Sequence, residues 1–96
     1  MEMFYLKGKV AVITGNLGFS MAQILSEAGC NIVVATRDTA KGKIAADKLT
    51  GKYGVDVLVL TWEAMDPETI KKLAKDSKNW KGHVDIFVNN AGGSQD

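Results

Sequence analysis

Four short apolar runs, rich in β-branched residues, alternate with three stretches of helical spacing, and this alternation limits the fold more than any other feature of the chain. The runs are Val10–Thr14, Asn31–Thr36, Val55–Leu60 and Val84–Val88. Each is nearly continuous, the pattern of a parallel strand covered on both faces. After the first run, Leu17, Met21, Ile24, Leu25 and Ala28 fall on one helical face, and Gly29 follows as a stop. The second helix spans roughly Thr39 to Lys52, with a thinner stripe of Ile44, Ala45 and Leu49 and with Gly51 and Gly54 framing its end. The third opens at Asp66-Pro67-Glu68, an N-cap followed by proline at the first helical position. It is expected to bury Ile70, Leu73 and Ala74 and to close at Trp80 and Gly82.

The order β-α-β-α-β-α-β implies an α/β fold built from right-handed parallel crossovers. The expected strand order is 3-2-1-4, the amino-terminal part of a Rossmann-type doubly wound parallel sheet. At 96 residues the chain holds one domain at most, residues 1–96, with a modest core. Strand four would then lie at an edge, although Ile86, Phe87 and Val88 read as interior.

Composition narrows the function. With 46% hydrophobic and 24% charged residues, this is an ordinary soluble globular segment. A net charge of +1 offers no field to recruit nucleic acid or an anionic membrane, and neither is expected as a partner. Many lysines fall late in the second and third helices (Lys48, Lys52, Lys75, Lys78, Lys81), where they complement the negative helix end. No run approaches the roughly 18 apolar residues of a membrane span. The first nine residues lack an apolar core of signal-peptide length, so a cytoplasmic protein is expected. Cys30 is the only cysteine and reads as a buried, inert thiol; His83 is equally alone and reads as part of a solvated turn. No metal site is expected.

The most informative stretch is Val12-Ile13-Thr14-Gly15-Asn16-Leu17-Gly18. A strand ends at Gly15 and a helix begins shortly after it. Free amides at a helix amino terminus, together with the positive end of its dipole, bind pyrophosphate. Glycines let the backbone turn tightly and let phosphate approach closely. Gly15, Asn16, Leu17 and Gly18 are therefore candidate phosphate-binding residues. Alone, a strand-Gly-x-x-Gly-helix turn is common to many βα units.

Further stretches give it a context. Lys7-Gly8-Lys9-Val10-Ala11-Val12-Ile13-Thr14-Gly15, Ser26-Glu27-Ala28-Gly29, Val33-Val34-Ala35-Thr36-Arg37 and Val84-Asp85-Ile86-Phe87-Val88-Asn89-Asn90-Ala91-Gly92 together resemble the short-chain dehydrogenases/reductases. The resemblance follows the family's order through nearly the whole chain, and Asn-Asn-Ala-Gly after an apolar strand is its most specific part. It implies the cofactor-binding portion of an oxidoreductase that moves hydride between a nicotinamide cofactor and an alcohol/carbonyl substrate. The intact enzyme would be expected to form a homo-oligomer. The alternative of another class is a half-domain that binds nucleotide or a partner without catalysis. The chain departs from the family's Thr-Gly-x-x-x-Gly-x-Gly: about three residues, the middle glycine among them, are missing between Gly15 and Gly18. Each amide so lost from the pyrophosphate would cost about 1.5–3 kcal/mol.

NAD-preferring Rossmann proteins carry an acid at the end of the second strand, on the ribose 2′-hydroxyl. Here the matching residue is the neutral Thr36, followed by Arg37, whose guanidinium can pair with a 2′-phosphate. NADP(H) is therefore favoured over NAD(H). Asp38 leaves NAD open through a small shift of register, and Arg37 and Asp38 can also be read simply as the opening of the next helix. After the third strand the resemblance implies an acidic and then a small residue close to the adenine, places held by Glu63 and Ala64, with Trp62 packing beside them. It also puts Asn90, Ala91 and Gly92 along the cofactor cleft, while Asn89 ties strands together.

The same resemblance implies a catalytic serine and a Tyr-x-x-x-Lys pair. Tyr53 is followed four places later by Val57. Tyr5 and Lys9 have the spacing, but they precede the first strand, at the end of the sheet away from the cofactor. No catalytic residue is assigned. The last residues, Gly93–Asp96, fall where a loop to a further helix would start, so substrate specificity is expected to lie in a half not present, and the 96-residue chain alone is expected to be inactive.

Overall fold

The computed structural model describes residues 5–15, 19–63 and 65–90, with the side chains of Phe19 and Asn90 excepted. Seven elements follow in order: β1 (Val10–Gly15), α1 (Phe19–Glu27), β2 (Asn31–Thr36), α2 (Thr39–Tyr53), β3 (Val57–Thr61), α3 (Pro67–Lys81) and β4 (Ile86–Asn90). The strands form one sheet in the order β3-β2-β1-β4, as expected, and each neighbouring pair is parallel. No helix among the described residues is long and apolar enough to cross a membrane.

Alternation along the strands sorts their side chains onto two faces. Ala11 and Ile13 of β1, with Ile32 and Val34 of β2, meet Ala22 and Leu25 of α1 and Leu49 of α2. Val10, Val12, Val33 and Ala35 face the other way, toward Leu73 of α3, with Leu58, Leu60, Trp62 and Trp80 packed around them. The two central strands are thus buried on both sides, which explains their unbroken apolar sequences.

The helices start and stop where the sequence marks them. Asp38 caps α2 by accepting the Lys41 N–H at 3.1 Å, and Asp66 caps α3 by accepting the Glu68 N–H at 2.9 Å. Gly54 and Gly82 end these helices in the left-handed conformation, where their N–H groups donate to the carbonyls of Thr50 and Lys78.

Their buried faces match the expected stripes at Leu25, Ala28, Ala45, Leu49 and Leu73 and differ elsewhere. Met21 and Ile24 of α1, Ile44 of α2, and Ile70 and Ala74 of α3 are exposed. The residues that turn inward are Ala22, Leu25 and Ser26; Gly42, Ala45, Ala46 and Leu49; and Leu73 and Ser77. Small residues occupy these faces because the helices lie close to the sheet. A Cβ placed on Gly42 would come within 2.9 Å of Val59 Cγ1 and 3.0 Å of Thr36 Cγ2.

β4 departs from its interior reading. Ile86 and Val88 are half-buried against the α1/α2 face, but Phe87 is 60% exposed. It borders an apolar groove of about 420 Å³ between α3 and the sheet, lined also by Val12, Leu73, Ala74, Ser77 and Val84. The amino end of β4 is fixed by Asp85, whose carboxylate accepts the Val10 N–H at 2.9 Å and pairs with His83 Nδ1 at 2.7 Å. These contacts, the Val10 N–H foremost, hold the Asp85 carboxyl below its usual range. His83 is exposed at this end of the sheet, as expected of a turn residue.

Candidate functional site

Because all four strands are parallel, their carboxyl ends share one rim. Gly15 is the register partner of Asn90, and Thr36 is the partner of Thr61. The chain runs outward from β1 through β2 to β3, then crosses back to place β4 on the other side of β1. The rim above β1 and β4 is therefore the topological switch point, where open α/β sheets leave a crevice for ligands. Thr14 Oγ1 donates to Asn89 Oδ1 at 3.2 Å, so Asn89 ties β4 to β1 as expected.

Gly15 ends β1 with φ 92°, a left-handed conformation that a residue with a Cβ adopts only under strain. The next element, α1, starts at Phe19. Asn16, Leu17 and Gly18 lie outside the described residues, as do Ala64, Ala91 and Gly92. Asn90 ends β4 beside Gly15, and its backbone alone is described.

The rim above β2 and β3 holds the remaining predicted residues. Thr36 is buried, and its hydroxyl is engaged: Oγ1 accepts the Asp38 N–H at 3.1 Å. Its carbonyl accepts the Trp62 N–H at 3.1 Å, which carries the β2/β3 pairing past the end of β3. Thr36 thus shapes the turn that presents Arg37. The Asp38 carboxylate is spent on capping α2, so this acid opens the helix.

Arg37 is free of the core, with a side chain 75% exposed, and its Nη1 lies 3.9 Å from Glu63 Oε1. Glu63 is held by its backbone. Its N–H donates to Thr69 Oγ1 at 3.1 Å, and its carbonyl accepts the Asp66 N–H at 3.0 Å. The Thr69 hydroxyl lies within donating distance of the Glu63 and Asp66 carbonyls, at 3.0 and 2.9 Å. Sequence reasoning missed Thr69 and Asp66 as the groups that position Glu63. The available signal was the third-helix cap itself, since Asp66 and Thr69 lie three residues apart across its first turn.

Gly15 ends β1 at the switch point with a positive φ, and an accessible guanidinium stands at the end of β2 with no β2 carboxylate opposing it. Tyr5 and Lys9 lie ahead of β1, at the opposite end of strands that run roughly 3.3 Å per residue, too far to act on this rim.

Comparison with known proteins places this arrangement. Residues 9–96 match the family model described as short chain dehydrogenase. The chain is 38% identical over 92 residues to a peroxisomal 2,4-dienoyl-CoA reductase of Danio rerio, covering 93% of this chain and 31% of the relative. It is 31% identical over 94 residues to a 3-oxoacyl-[acyl-carrier-protein] reductase of Aquifex aeolicus, covering 95% and 38%. The crystal structure of L-sorbose reductase from Gluconobacter frateurii, complexed with NADPH and L-sorbose, superposes with a TM-score of 0.85 at 35% identity, covering 95% of this chain and 35% of that one. The chain spans about a third of the length of the relatives it matches. With the sheet order and the matched residues in agreement, the chain belongs to the short-chain dehydrogenase family.

Proposed function

We propose that this chain is the cofactor-binding portion, residues 1–96, of an oxidoreductase that transfers hydride between a nicotinamide cofactor and an alcohol/carbonyl substrate, and that it takes NADP(H) in preference to NAD(H). The observation that carries the cofactor preference is the rim above β2. Arg37 is exposed there, Thr36 brings no charge, and the Asp38 carboxylate is committed to the α2 cap. A guanidinium so placed can pair with a 2′-phosphate through charge-assisted hydrogen bonds. A neighbour of similar fold that carries NADPH supports the same reading.

In this reading Gly15, Asn16, Leu17 and Gly18 receive the pyrophosphate and Thr36 shapes the ribose turn. Arg37 takes the 2′-phosphate, Glu63 and Ala64 lie toward the adenine, and Asn90, Ala91 and Gly92 line the cleft above β4. The cofactor supplies the hydride. The chain's own residues bind and orient it.

Titration with NADPH and NADH tests the proposal, using the intrinsic fluorescence of Trp62 beside the site. The chain should bind NADPH more tightly. Arg37→Gln should weaken NADPH by about tenfold or more, since a charge-assisted hydrogen bond contributes about 1.5–3 kcal/mol, and should leave NADH nearly unchanged. Equal affinities in the unaltered chain would remove Arg37 from its role.

A further inference from the structure

Among the described residues, the carboxylate nearest Arg37 comes from the β3–α3 loop. Glu63 reaches to 3.9 Å from the guanidinium, and its own side chain is 43% exposed. We propose that Glu63 is a specificity-determining residue that opposes a 2′-phosphate and holds the site closer to balance between phosphorylated and unphosphorylated ribose; this rests on the nucleotide-binding reading above.

A 2′-phosphate that pairs with Arg37 must approach within hydrogen-bonding distance of a guanidinium already facing a carboxylate. Two anions would then share one cation at close range, and like charges so near each other oppose binding of the second. The guanidinium must divide its donors or give up Glu63. A ribose 2′-hydroxyl carries no charge and meets no such opposition. A carboxylate is also the group that Rossmann sites use to accept a hydrogen bond from that hydroxyl. β2 supplies none, because Thr36 is neutral and Asp38 caps α2. Glu63 thus brings to the rim, from the neighbouring strand's loop, the charge that β2 lacks.

The loop geometry keeps it there. Bonds to Thr69 and Asp66 fix the Glu63 backbone on both its N–H and its carbonyl. The pairing of Trp62 with Thr36 holds that loop against the β2 turn. An exposed ion pair of this kind adds little to stability, so removing its charge tests binding rather than folding.

The test uses the two halves of the question as probes: adenosine 2′,5′-bisphosphate and adenosine 5′-monophosphate, titrated calorimetrically into the unaltered chain and into Glu63→Gln. Neither probe carries nicotinamide, so no catalytic group enters the readout. Glu63→Gln should tighten the bisphosphate by about tenfold at low salt and should not tighten the monophosphate, whose uncharged 2′-hydroxyl gains nothing from removal of the charge. The gain should shrink at about 0.5 M salt as screening shortens the reach of the charge. An unchanged or reduced preference for the bisphosphate in Glu63→Gln overturns the role of Glu63 and leaves the nucleotide site standing. Failure of the unaltered chain to bind either probe overturns the nucleotide site itself, and this inference with it.

Discussion

Cys30 lies fully buried just ahead of β2, with Sγ 3.5 Å from the Lys9 carbonyl and 3.4 Å from that of Asn31. Burial disfavours the thiolate and pushes the thiol up to about 11; the Asp85 carboxylate acts in the same direction, and the Ala11 backbone N–H acts against both. Only the thiolate attacks a disulfide reagent. At pH 8 the folded chain should therefore react with an aromatic disulfide at least about a hundredfold more slowly than the same chain in urea, which is the loss of thiolate that such a shift brings. The pH dependence has a definite sign. The unfolded thiol ionises near 9.0 while the folded one stays protonated to about 11, so this residue lowers stability as pH rises through that interval. Equal reaction rates in the folded and unfolded chains would place Cys30 at the surface.

At the scale of elements, the close approach of α2 to the sheet links packing to the site. Gly42 faces Val59 and Thr36, both stiff at Cβ, so a methyl group there has no flexible neighbour to push aside. Gly42→Ala gains about 1 kcal/mol of helix propensity and meets an overpacking cost of about 1–3 kcal/mol. Net destabilisation of about 1 kcal/mol is expected in urea unfolding, together with weaker NADPH binding as Thr36 shifts the Arg37 turn. A more stable variant with unchanged binding would show that α2 yields freely. The same packing explains what the sequence could reveal. The elements, their order and the caps at Asp66, Gly54 and Gly82 were legible, because β-branched runs and helix punctuation are local signals. The inward faces were legible in part: Leu25, Ala28, Ala45, Leu49 and Leu73 were expected there and are buried, but Ala22, Ser26 and Gly42 are buried for their smallness, where an apolar stripe points instead to Ile24 and Ile44. Within the site, the pairing of neutral Thr36 with Arg37 could be read directly. The commitment of Asp38 to a cap was legible as the alternative in which Arg37 and Asp38 open the next helix, but the meeting of Arg37 with Glu63 depends on the β2/β3 register and the hold of Thr69, which no local pattern carries.

At the scale of the whole molecule, the two outer strands stand differently. β3 is half-buried along most of its length beneath α2 and α3, whereas β4 presents an outer edge of Ile86, Phe87 and Val88 without a charged residue among them. A sheet edge of this composition offers unpaired backbone groups to another chain, with no lysine or proline to discourage it. Phe87, 60% exposed beside the apolar groove at α3, adds hydrophobic area to that edge. The 96-residue chain is therefore expected to self-associate at concentrations of tens of micromolar, as seen by sedimentation velocity. Phe87→Lys should shift it toward monomer by placing like charges along any edge-to-edge contact between copies. The switch-point rim lies at the carboxyl ends of the strands, so this variant should keep its nucleotide affinity within about twofold, and that separates loss of association from loss of fold. If the unaltered chain sediments as a clean monomer across this range, the β4 edge is not the adhesive surface its composition implies.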